Sequence, residues 1–209
     1  MLRRFLLGLA LACCAMCGWS QAQAPAQAKA APGGSTPAAA TPAAKVKLGG
    51  LPNLGKVHDR LYRGGQPEKE GFEELKKLGV QIVVNFRESS EQDNEREKAR
   101  VEALGMRYVD IPWRGFDDPD NAQVAQFLQL VSENRGQTIF YHCRRGAERT
   151  GVMTAAYRMA FERWSPEQAL AEMEEFKFRG FWFRHLKRYV RTFPEQLRSD
   201  AHLRAVAAQ

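Results

Sequence analysis

The chain has 209 residues, 44% of them hydrophobic, and a formal charge of +7. That length suits one domain with a sizeable core and tails, and the composition is that of a soluble globular protein. The basic surplus favours anionic substrates or surfaces without choosing among them, while the absence of zinc-finger spacing, an aromatic-interleaved basic stripe or a long basic tail argues against nucleic-acid binding.

In chain order, Arg3 and Arg4 precede the apolar run Phe5 to Trp19, and Ala22 to Ala24 supply a small-x-small cleavage pattern. Residues 1–24 are therefore expected to be a bacterial-style export signal, which places the protein in the periplasm or outside the cell. An uncleaved anchor facing the periplasm is the alternative, although the apolar run is shorter than the roughly 20 residues a spanning helix needs. A lipid anchor on Cys13 ranks third: Leu9 to Cys13 loosely match a lipoprotein site, with Ala10 where Leu is usual. Loss of the signal removes Cys13, Cys14 and Cys17 and leaves Cys143 alone. Unpaired thiols are a liability in an oxidising compartment. A retained cysteine there calls for a chemical reason, to be weighed against a small buried hydrophobe.

Residues 25–45 are almost wholly Ala, Pro, Gly and small polar residues, a disordered or extended tether. A folded domain is expected over 46–198, with 199–209 as a tail. It begins with an extended segment near Val57 to Tyr62, then the turn "RGGQP". A helix follows with Phe72, Leu75 and Leu78 on one face and ends at Gly79. The run "VQIVVNF" is nearly continuous and β-branched, as in a strand buried on both faces. A charged helix from about Glu91 to Leu104 leads to the strand "MRYVDI". Val124, Phe127, Leu128 and Val131 mark another helix, and "QTIFYH" a further strand. Helices are then expected from about Thr150 to Trp164, after "SPEQ" with Ser165 as cap and Gln168 completing a capping box, and around Leu186, Val190 and Phe193. No internal repeat is present. Strands alternating with helices predict an α/β fold: a single domain whose central, largely parallel sheet is flanked by helices. Gly50 to Lys56 has Walker spacing, but Val57 stands where Ser or Thr would bind magnesium.

The segment "YHCRRGAERTGV" places Cys143 at the carboxyl end of a central strand, where α/β sheets bind ligands. Its loop runs into a helix whose unpaired N–H groups and dipole suit an anion. The same field favours the thiolate. Gly146 and Gly151 are expected to let backbone amides approach the anion, and Arg149 returns to the loop mouth with a planar fork for two phosphate oxygens. Arg144, Arg145, Gly146, Ala147, Glu148 and Arg149 form the expected substrate-binding set. An edge position in solvent is equally open to Arg145, and an ion pair on the loop's outer side to Glu148.

At His142, Cys143, Arg149 and Thr150 the chain resembles the cysteine-dependent tyrosine and dual-specificity phosphatases, whose signature is H-C-x5-R-[S/T]. "LYRGGQP…GFEELKKLGVQIVVNFR" extends the likeness to the compact bacterial and fungal members, over roughly Val57 to Phe193. The resemblance implies that Cys143 attacks phosphorus, Arg149 binds the equatorial oxygens, Thr150 donates a hydrogen bond to the thiolate and His142 orders the loop from behind. It implies no metal and no cofactor. Phosphoinositide-directed relatives often carry Lys after the loop glycine; Ala147 and Glu148 here argue against an inositol lipid.

A proton donor is still needed for the leaving oxygen, and the family takes it from an Asp on a loop before the cysteine. "WRGFDDPDNAQV" offers Asp117, Asp118 and Asp120. Pro119 in a first helical turn would make Asp118 the cap and leave Asp117 freer to face the pocket, which favours Asp117 with Asp118 as the alternative. Asp110 is expected to be structural, and Trp113 a core aromatic rather than a pocket wall. Arg179, Arg184, His185, Lys187, Arg188 and Arg191 form either a solvated helix face or a binding rim. The expected substrate is a phosphorylated protein or small phosphate ester, phosphotyrosine or phosphoserine/threonine in proteins first among them, with no nucleic-acid partner, membrane contact only through the N-terminal segment, and a monomeric state. The rivals are thiol-based anion chemistry, as in arsenate reductases or sulfurtransferases, and a non-catalytic sensor of phospho-ligands. The first usually recruits further cysteines; the second does not require the nucleophile.

Overall fold

The computed structural model describes residues 41–88 and 94–207. The expected export signal, Cys13, Cys14, Cys17, most of the expected tether and the first residues of the expected helix at Glu91 lie outside the described residues. Five strands follow from the extended segments: β2 (Gly55–His58), β3 (Leu61–Gly65), β4 (Ile82–Asn85), β5 (Arg107–Asp110) and β6 (Ile139–Cys143), with a short β1 (Ala44–Lys45) ahead of them. They form a six-stranded sheet in the order β1-β2-β3-β6-β4-β5. The neighbours β3/β6, β6/β4 and β4/β5 are parallel, and β1 and β2 add an antiparallel edge. The segment expected as one extended stretch is thus a hairpin, turned at Asp59 and Arg60, where the Lys56–Asp59 ion pair (2.9 Å) sits.

The helices are α1 (Gly71–Lys77), α2 (Asn94–Ala103), α3 (Asn121–Glu133), α4 (Glu148–Phe161), α5 (Pro166–Glu175), α6 (Arg184–Ser199) and α7 (Ala201–Ala207). Strand alternation divides the core in two. On one face Val83 and Phe140 pack with Phe72, Leu75 and Val101 of α1 and α2. On the other Ile82, Val84, Ile139, Tyr141 and Cys143 pack with α3 to α7. One consequence governs the site: Cys143 faces α4, and its neighbour His142 faces α2. The capping box expected at Ser165 is present, its hydroxyl accepting from Gln168 N at 3.2 Å.

The last residues differ from the expected tail. Asp200 caps α7 by accepting from His202 N (2.9 Å) and Leu203 N (3.1 Å), and Leu203 and Val206 are buried in the larger core cluster. Burying each such side chain contributes about 1.5–3 kcal/mol, enough to order a short helix that its composition alone would not.

Candidate active site

Cys143 ends β6, is buried, and is the free cysteine among the described residues. The chain turns through Gly146 at φ +67° into α4, which starts at Glu148, two residues earlier than expected. Ala147 at the N-cap offers no side-chain hydrogen bond, so the first amides of α4 remain available beside the cysteine. Gly146 needs its missing Cβ twice: for its backbone angle, and because a Cβ would lie 2.4 Å from the carbonyl carbon of Gly64 on β3. Gly151 serves differently from expectation. Its open side faces Met173 of α5, with an added Cβ at 3.1 Å, so it permits helix packing rather than anion approach.

Cys143, Arg144, Arg145, Glu148 and Arg149 share one cleft of about 430 Å³ with Gly115, Phe116, Arg179 and Phe183. Arg149 is buried, and its Nη1 donates to the carbonyls of Phe86 (3.2 Å) and Trp113 (3.0 Å). Two carbonyls from the ends of neighbouring strands thereby fix the guanidinium plane. Glu148 takes the ion pair suggested for it, Arg145 Nη1 to Oε1 at 2.7 Å, which commits Arg145 to its own loop. The Thr150 hydroxyl differs from expectation. It donates to Gly64 O at 3.4 Å rather than to Cys143, because the strand β3 backbone is brought against the loop by its glycines.

Behind the loop, where His142 was expected, lies a buried network whose other members, Glu97, Arg87 and Gln66, were not expected. His142 Nε2 meets Glu97 Oε1 at 2.7 Å, and its Nδ1 lies 3.4 Å from Cys143 O. Glu97 Oε2 also accepts from Arg87 Nη2 (2.6 Å) and Gln66 Nε2 (2.9 Å). Burial pushes the Glu97 carboxyl up, but His142, Gln66 and Arg87 together hold it below the ordinary carboxylate range. Arg63 is fully buried on the other face. Its Nη2 donates to Gly146 O at 2.8 Å, and its guanidinium stacks 4.1 Å over Phe176. Burial pushes this guanidinium below the ordinary arginine value; Tyr141, Glu172 and Cys143 oppose that. A buried cation thus lies within electrostatic reach of the thiol, and it and Asn53 Nδ2 (3.0 Å) hold the same carbonyl. Alternation could have flagged Arg63, since it shares a face with core-forming Leu61. Glu97 stands one turn before Val101 on the buried side of α2.

The expected acids stand outside the cleft wall. From their loop the cleft takes Arg114, Gly115 and Phe116. Asp117 lies 3.8 Å from Arg114 Nε and Asp118 3.5 Å from Arg188 Nη2. The cap of α3 is Asp120, not Asp118: its side chain accepts from Ala122 N (2.9 Å), and Gln123 closes the box. Asp120 stands three residues before Gln123, the spacing a capping box requires, so Pro119 falls outside the helix. Asp110 is tied to Asn85 Nδ2 (2.9 Å), and Trp113 is buried with Nε1 donating to Asp117 O (3.1 Å). Of the basic cluster, Arg179 lines the cleft, while Lys187 and Arg188 meet Glu174 and Asp118.

The family described as "PTP-NADK: DSP-PTPase phosphatase fused to NAD+ Kinase" matches residues 51–189, which include every residue of this cleft. The chain belongs to this DSP-PTPase family. Among curated DSP-PTPase relatives, it is 32% identical over 123 residues to the dual specificity protein phosphatase TpbA of Pseudomonas aeruginosa, spanning 58% of this chain and 53% of that protein. The chain thus spans about half the length of that relative. It is 27% identical over 127 residues to inositol diphosphatase DSP3 of Arabidopsis thaliana, 59% of this chain and 61% of that protein. Among solved structures, a cysteine-to-serine variant of P. aeruginosa TpbA in complex with pTyr superposes with TM-score 0.65 at 26% identity, covering 83% of this chain and all of that one.

Proposed function

We propose that this chain is an exported, metal-independent phosphomonoesterase acting on phosphotyrosine or phosphoserine/threonine in proteins. The observation that carries the reading is the joining of Cys143, Arg149 and the uncapped start of α4 in one cleft. The Cys143 sulfur attacks phosphorus as the bond to the ester oxygen breaks, and Asp117 gives that oxygen its proton. The Asp117 carboxylate then takes a proton from water, whose oxygen displaces sulfur and releases inorganic phosphate. Arg149 and the α4 amides stabilise the charge on the equatorial oxygens through both steps. Asp117 is preferred over Asp118 because it adjoins Phe116 on the wall and pairs with Arg114, which also lines the cleft. Asp118 is held instead toward α6 by Arg188. The TpbA complex with pTyr supports the substrate class, and the leader-like N-terminus supports export.

The test is turnover of phosphotyrosyl and phosphoseryl peptides, a phosphoinositide and nitrophenyl phosphate, with and without chelator. Cys143→Ser should abolish all turnover, and chelator should change none. Asp117→Asn should lower turnover of peptides by about 10²-fold or more and that of nitrophenyl phosphate less, because its leaving group needs no proton while its phosphocysteine still needs the base. Chelator-sensitive activity, or activity surviving Cys143→Ser, overturns the mechanism; the same pattern in Asp118→Asn instead transfers the proton role.

A further inference from the structure

Large hydrophobic side chains exposed among the described residues are Phe116 (79%), Phe181 (71%) and Trp182 (74%). One lines the cleft, and the other two lie in the chain between two of its lining residues. Phe116 lines it and stacks on Phe183 at 5.5 Å. Phe181 and Trp182 occupy the turn between two other lining residues, Arg179 and Phe183, and pack edge to face at 5.5 Å. This turn is not frayed: the N–H groups of Trp182 and Phe183 both donate to Arg179 O, at 3.0 and 3.1 Å. Scattered single hydrophobics need no explanation, but a cluster on a hydrogen-bonded turn beside a site does.

Charge narrows the choice of partner. The rim acids are already opposed: Glu88 and Asp117 by Arg114 (3.5 and 3.8 Å), Asp118 by Arg188 (3.5 Å), Glu148 by Arg145 (2.7 Å) and Glu174 by Lys187 (3.8 Å). Arg144, Arg179 and Arg184 make no ion pair among the described residues, and Arg184 lies over the Phe181 ring at 5.0 Å. Aromatic side chains projecting from a turn, interleaved with surplus arginines, match the headgroup zone of an anionic bilayer, where Trp and Phe settle at the interface and each cation adds attraction.

We propose that the Phe181–Trp182 turn and the arginines beside it dock the cleft mouth on an anionic phospholipid surface. The docking is a property of the rim and does not require the phosphatase reading. It brings the cysteine loop to face substrates held at that surface.

The experiment uses the full chain with vesicles of phosphatidylcholine alone or mixed with phosphatidylglycerol, measuring co-sedimentation and quenching of tryptophan by brominated acyl chains. The N-terminal apolar run is common to every variant, so differences report the rim. Phe181→Ser with Trp182→Ser should weaken partitioning to the mixed vesicles by about tenfold or more, Arg184→Gln should weaken it less, and Trp182→Phe should restore most of it. Turnover of soluble nitrophenyl phosphate should be unchanged in all of them. Equal partitioning of wild type and the double serine variant overturns the proposal, as does equal binding to neutral and anionic vesicles. Unaltered vesicle binding with a raised KM for phosphopeptides overturns it in favour of a protein-docking face.

Discussion

The cysteine loop and the acid loop carry the two halves of one proposed reaction, and they are built by opposite means. Cys143, Arg149 and Thr150 are buried, and the loop between them is held at Gly146 O by Arg63 and Asn53 and at Arg149 by two strand-end carbonyls. Asp117 and Asp118 have side chains 59% and 51% exposed, each facing one arginine across 3.8 and 3.5 Å. The anion cradle must be in place before substrate arrives, because electrostatic stabilisation depends on dipoles that need no reorganisation. The proton donor has to meet the leaving group of a bound ester, and an exposed loop tip allows that adjustment.

If the cysteine loop is fixed from behind, removing its foundation should have the largest effect. Glu97→Ala leaves His142 and Arg87 buried without their carboxylate, and breaking such a pair costs about 3–5 kcal/mol. Denaturant unfolding measures it. The pH dependence has a definite sign. Because the folded Glu97 carboxyl is held below its ordinary range, its contribution is complete above the ordinary carboxylate value and is lost as pH falls through the depressed folded value. Glu97→Gln should therefore flatten that part of the acid limb. An unchanged acid limb would mean the network does not brace the loop.

Within the loop itself, Arg149→Lys keeps the charge but loses the planar fork and its two carbonyl anchors. Turnover should fall by about 10²-fold, the scale of one lost oxyanion donor, with little change in stability compared with Glu97→Ala. Near-wild-type turnover would show that the guanidinium plane is not what holds phosphate.

The same contrast explains what the sequence made legible. Cys143, Arg149 and the strand-loop-helix around them were readable because the chemistry lies in one short segment with its own spacing. The parallel sheet followed from "VQIVVNF" and "QTIFYH", whose unbroken apolar runs match strands covered on both faces. Glu97, Arg87 and Arg63 reach the loop from distant segments, and their partners are set by tertiary packing. Glu97 sits in a helix with one buried apolar residue, Val101, so no hydrophobic stripe announces its inward face. The placement of the α3 cap turned on one residue: Pro119 drew attention to Asp118, whereas the Asp120–Gln123 pair holds the cap.

That cap gives the smallest effect and the sharpest test of how the acid loop is held. Gln123 joins both ends of the loop, its Oε1 accepting from Asp120 N at 3.2 Å and its Nε2 donating to Pro112 O. Gln123→Ala removes both bonds at the stem while leaving Asp117 and the cysteine loop untouched. Each bond contributes about 0.5–1.5 kcal/mol, so thermal or denaturant unfolding should show a loss of about 1–3 kcal/mol. If the stem positions Asp117, kcat for tyrosyl esters should fall by less than about tenfold, and turnover of nitrophenyl phosphate should fall less, because that ester needs Asp117 only as the base of the second step. Equal losses on both substrates would place Gln123 in support of the whole cleft, through Pro112 and the neighbouring Trp113 carbonyl that anchors Arg149. In that case the two loops share a brace, and their separation is one of exposure alone.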